Sequence, residues 1–113
     1  MRKHDWENAF RNEIKTAENA RQKGNEGMAR VCARRAAGIV IEEYFLRRGI
    51  NMPNQNIQIQ VNTLLDQDNL SPKIREVGSH LILNVTPDHT LPLDFDLISE
   101  VNWLAETLVN YQA

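Results

Sequence analysis

A single cysteine, Cys32, excludes an internal disulfide and a cysteine-rich zinc site. Only four prolines and five glycines punctuate the chain, so little stands in the way of long helices. Aromatic residues make up 6% of the sequence, and the basic clusters hold none interleaved in the manner that stacks nucleic-acid bases. No run approaches the ~18 apolar residues of a membrane span. The opening Met1-Arg2-Lys3-His4-Asp5 leads into no apolar signal region. The expectation is a soluble, cytoplasmic protein with no membrane partner. A glycine-rich phosphate loop, a His-Glu-x-x-His zinc pair and a Gly-x-Ser-x-Gly elbow are all missing. No cofactor and no metal are therefore expected.

What is present describes an ordinary globular chain. Its 113 residues suit one domain spanning 1–113, with 42% hydrophobic and 25% charged residues. A chain of this length buries roughly 65% of its accessible surface on folding, enough for a core without cross-links. The net charge of −2 conceals a polarity along the sequence. Met1 to Arg48 carries eleven Lys and Arg against seven Asp and Glu, whereas Glu76 onward has six acids and no Lys or Arg. Either the two segments lie side by side and neutralise each other, or they serve an electrostatic partner, a second copy or nucleic acid included.

Apolar spacing predicts five helices and an all-α fold, an up-and-down helical bundle of four to five helices. The first runs from about Asp5 to Lys23, with Asp5 as N-cap and Gly24 as left-handed terminator. The second, Glu26 to Arg48, is capped by Asn25 and closed before Gly49, about 34 Å long at 1.5 Å per residue. Ala36 to Ile41 is apolar around nearly the whole helix, which marks a central helix covered on several sides. Ala29, Ala33, Ala36, Ala37 and Gly38 would let neighbours approach it closely. Gln55 to Leu65 fits both a strand, through Ile57, Ile59 and Val61, and a helix, through Ile57, Val61, Leu64 and Leu65. The helix is favoured because no second strand is available to pair. Ser71-Pro72 reads as N-cap and N1 of a helix to about Leu83, with Ile74, Val77, Leu81 and Val85 inward. The last helix starts near Asp94, puts Leu97, Ile98, Val101, Leu104, Ala105 and Leu108 on one face, and ends around Tyr111.

Few residues offer chemistry. Cys32 sits in the apolar helix and reads as a small core residue. His4 lies in the N-terminal arm. Asp88-His89, in the loop before the last helix, is a loop candidate able to bind a metal or orient a base, or equally a surface or capping pair. Arg75 and His80 form the sharper pair. Arginine holds a phosphate bidentately and permanently, and histidine exchanges a proton near neutral pH. RNA cleavage needs both functions. Five positions along one helix, however, set the two side chains about 140° apart, so convergence requires a second subunit or a helix that starts after Arg75.

The arrangement resembles the HEPN family, nucleotide- and nucleic-acid-associated helical bundles of prokaryotes and higher eukaryotes. The residues that carry the resemblance are Trp6, Ala9, Ala17 and Ala20, then Gly24-Asn25. Ala33 to Leu46 before Gly49, Leu64-Leu65, Val77 and Leu81, Pro87-Asp88, Asp96 and Ala105 continue it across nearly the whole chain. The resemblance implies a HEPN-like bundle built around a long central second helix. One branch of the family consists of ribonucleases with Arg, four to six residues, then His. They are toxin–antitoxin or defence nucleases whose sites form across a homodimer. Arg75 and His80 match the two ends and the spacing, while Glu76 and Ile82 replace the small polar residue and the tyrosine of that motif. The other branch pairs with a small nucleotidyltransferase, and of its Thr-Arg-Tyr-Pro-Asp loop only Pro87-Asp88 remains. The leading expectation is a non-catalytic HEPN-like interaction domain. It would be dimeric and would work with a nucleotidyltransferase or a nucleic-acid-processing partner. The alternatives are a metal-independent endoribonuclease using Arg75 and His80 on RNA, and an unrelated structural bundle.

Overall fold

Helix boundaries follow from local capping chemistry. The computed structural model describes residues 5–52, 56–68, 70–83 and 96–111. Among them the chain forms five helices and no strand: α1 (Asp5–Gln22), α2 (Glu26–Leu46), α3 (Ile57–Leu65), α4 (Pro72–Leu81) and α5 (Leu97–Val109). None is long and apolar enough to cross a membrane.

Four N-caps use a side-chain oxygen to satisfy an amide that the helix leaves open. Asn25 accepts from the Met28 amide at 3.1 Å, Asn56 from Ile59 at 2.9 Å, and Ser71 from Ile74 at 3.2 Å. Asp96 caps α5 through the Ile98 amide at 3.1 Å, so that helix opens at Leu97 rather than near Asp94. Asp5 already belongs to the first turn of α1 and is not its cap. Gly24 and Gly49 close α1 and α2 at φ of 80° and 77°. The Asn25 amide reaches back to the Ala20 carbonyl (2.8 Å), and Ile50 to Phe45 (2.9 Å), in paired Schellman closures. Helix α2 therefore ends two residues short of Arg48, and α4 at Leu81 short of Leu83. Val85 lies outside the described residues.

The ambiguous third segment is helical. Ile57 is half-buried and Val61 and Leu64 are buried, whereas Ile59, which completed the strand-like alternation, is exposed. The core runs through all five helices. From α1 it takes Trp6, Phe10, Ile14 and Ala17, and from α2 Val40, Ile41 and Phe45. Leu64, Val77 and Leu81 come from α3 and α4, and Leu97, Val101 and Leu104 from α5. Ala29, Ala33, Ala36 and Ala37 are completely buried and let α1 and α5 sit close against α2. On α5 the stripe turns by one position at its end, where Val109 is buried and Leu108 only partly so. Tyr111 folds back under α1, edge-on to Phe10 at 4.9 Å and to Trp6 at 5.9 Å between ring centroids.

Candidate functional site

The two residues singled out for phosphate and proton chemistry sit on one helix, α4, and face different neighbours. Arg75 is exposed and donates from Nη1 to the Leu65 carbonyl (3.1 Å) and from Nη2 to Gln67 (3.4 Å), closing the C-terminal end of α3. A guanidinium there meets the negative end of the helix dipole. His80 is buried, and its Nδ1 lies 2.8 Å from Glu100 Oε1 on α5. Glu100, twenty positions downstream, thus fixes the orientation of the imidazole. Within one chain the structure brings His80 to Glu100 and not to Arg75. Ile74, Val77 and Leu81 pack into the core between them. Asp88 and His89 lie outside the described residues, as does His4. Among the described residues no group of three metal-ligating side chains comes together.

The basic half of the chain is largely engaged with the chain itself. Arg21 bridges Glu26 (Nε–Oε1, 2.7 Å) and Asp96 (Nη1–Oδ1, 2.7 Å). Hydrogen bonds donated to Glu26 and then to Asp96 hold its guanidinium charge more firmly than usual, against the effect of burial. Arg47 pairs with Glu43 and donates to the Val109 carbonyl, and Arg34 donates to Leu83 at 2.7 Å. Arg47 and Arg48 also cover the rings of Trp6 and Tyr44 at 5.6 and 3.8 Å. Those two aromatics are buried and offer no face to a nucleobase. The acidic C-terminal segment meets the basic one directly through Arg21 and Asp96.

A concavity among the described residues lies elsewhere. A groove of about 700 Å³ runs over the outer face of α2, with α1 as one wall and the start of α3 as the other. Its floor holds Val31, Arg35, Ile39 and Glu42, and Ala9 and Glu13 stand on one side with Ile57 and Gln60 on the other. A smaller hollow over Ile39 and Glu42 continues it to Leu46. Gln60 is a buried polar residue that sequence patterning did not single out, and its Nε2 donates to the Gly38 carbonyl at 3.3 Å. The groove also holds two buried polar atoms without hydrogen-bond partners, Glu13 Oε2 and Arg34 Nε. Burial, aided by the charge of Arg30, pushes the Arg34 guanidinium below its ordinary pKa. Val31, Ile39 and Ile57 give the groove an aliphatic strip, set among charged and amide side chains, at a size within the range of binding clefts.

No protein-family model matches the chain, and neither a curated protein nor a solved structure matches it.

Proposed function

We propose that this chain is a non-catalytic, HEPN-like helical interaction domain that assembles as a dimer and serves a nucleotidyltransferase or nucleic-acid-processing partner. The observation that carries this reading is the open outer face of α2. Helix α2 is packed against α1, α3 and α5, yet on its outer face Met28, Val31 and Leu46 remain 43%, 41% and 42% exposed. The placement of the catalytic candidates supports the same reading. Arg75 is committed to the carbonyls that end α3, and His80 is buried against Glu100 on the other side of α4. Glu76 beside Arg75 further disfavours phosphate at that position by like-charge repulsion.

Two experiments test the proposal. The tagged chain is co-expressed with any nucleotidyltransferase encoded beside it, and a stoichiometric complex is expected on size exclusion. The purified protein is also incubated with RNA in EDTA, and no cleavage is expected. Cleavage that disappears in both Arg75→Ala and His80→Ala would replace this reading with a metal-independent endoribonuclease.

A further inference from the structure

Resting on the dimeric part of that reading, we infer that the outer face of α2 is the dimer interface, with two copies of α2 crossing antiparallel about an axis through Gly38 and Ile39. At 100° per residue, Met28, Val31, Arg35, Ile39, Glu42 and Leu46 fall within a sector of about 80° on α2. They form a stripe between α1 and α3, and three of the five exposed large apolar side chains among the described residues lie on it.

The order of residues along the stripe selects the occupant. Arg35 and Glu42 stand at equal distances either side of the midpoint between Gly38 and Ile39, and so do Val31 and Leu46. Antiparallel pairing about a two-fold axis then sets Arg35 against the partner's Glu42, and Val31 against the partner's Leu46, each contact occurring twice. Parallel pairing would oppose Arg35 with the partner's Arg35. Seven positions separate Arg35 and Glu42, about 10 Å along the helix. Neither side chain forms an ion pair or hydrogen bond with another described residue. Both charges are therefore available to a second copy. Glu13 and Arg34 line the groove beside the same stripe.

The test is a charge swap followed by light scattering across a concentration series. Arg35 is exposed and Glu42 half-buried, and circular dichroism melts check that each variant folds. Wild type is expected to be a dimer. Arg35→Glu and Glu42→Arg each place like charges in opposition at two symmetric contacts and should weaken the dimer by roughly tenfold or more. The double variant R35E/E42R should regain it, and Val31→Asp should weaken it without rescue. A wild-type dimer indifferent to all four variants overturns this interface and leaves the interaction-domain reading standing. A wild type that stays monomeric at every concentration overturns this interface together with the dimeric part of the proposed function, while the co-expression experiment still decides the domain's role.

Discussion

Arg21 Nη1 and Asp96 Oδ1, seventy-five positions apart in sequence, meet at 2.7 Å. The contact ties the end of α1 to the start of α5. Because Arg21 also holds Glu26 at the start of α2, one guanidinium fastens three helix ends. The charge polarity along the chain is in this way partly used up inside the fold.

Asp96 carries a pH dependence with a defined sign. Burial opposes its charge, but hydrogen bonds from Arg21 and from the Ser99 hydroxyl and amide outweigh that, holding its pKa below the ordinary 3.8. A group depressed in the folded state stabilises the fold above its unfolded pKa and loses that contribution as pH falls through the folded value. Asp96→Asn keeps an N-cap oxygen but removes the charge. It should cost under about 1 kcal/mol at pH 7, because the pair is partly exposed, and the gap to wild type should close toward pH 3. Asp96→Ala also loses the cap and should cost about 1 kcal/mol more. Thermal melts between pH 3 and 7 check both, and a gap that widens on acidification would contradict the assignment.

Gly38 marks the seat of α3 on α2. A Cβ there would lie 2.7 Å from Gln60 Oε1, so any side chain displaces the buried amide and its bond to the Gly38 carbonyl. Gly38→Leu should destabilise the domain by roughly 1–3 kcal/mol through overpacking. At Gly78 the obstacle is aliphatic, with Leu65 Cδ2 at 3.1 Å and Val61 Cγ1 at 3.3 Å, and Gly78→Leu should cost a similar amount. Chemical denaturation measures both. An unchanged midpoint for either would mean that α3 does not pack where the structure puts it.

Cys32 is 1% exposed. Burial, and then the charge of Glu13, raise its thiol pKa, while Arg35 lowers it slightly. Labelling by a thiol-specific reagent should therefore be slow in the native state and should accelerate only where denaturant unfolds the chain. Rapid labelling in buffer would show that the α1–α2 interface opens readily.

The parts of the fold legible in the sequence are those fixed by near neighbours. Ser71-Pro72, Asn25, Gly24 and Gly49 act within three or four residues of themselves, so their capping roles could be read directly. The inward stripes of α1 and α4 follow from helical spacing, which also foretold that Arg75 and His80 diverge on one helix. The contacts that give these residues their surroundings were not legible. Glu100 beneath His80, the α3 carbonyls beneath Arg75, and Gln60 buried over Gly38 all depend on which helix packs against which. A buried glutamine is especially hidden, because polarity argues for solvent until its acceptor is known. At Asp5, an acid near a helix start marked the first turn and not the cap, since both positions favour negative charge.

The turn closed by Gly24 has a kinetic consequence. It reverses the chain so abruptly that α1 and α2, consecutive in sequence, share the most extensive helix–helix interface among the described residues. The two helices are joined by a three-residue turn, so the interface can zip up from the turn with little loop entropy opposing it. The helical hairpin is therefore the expected nucleus, able to assemble before α3, α4 and α5 leave the ribosome. In stopped-flow experiments Gly24→Ala should mainly slow folding, whereas Leu104→Ala in α5 should mainly hasten unfolding. The reverse pattern would place the nucleus at the C-terminal end of the bundle.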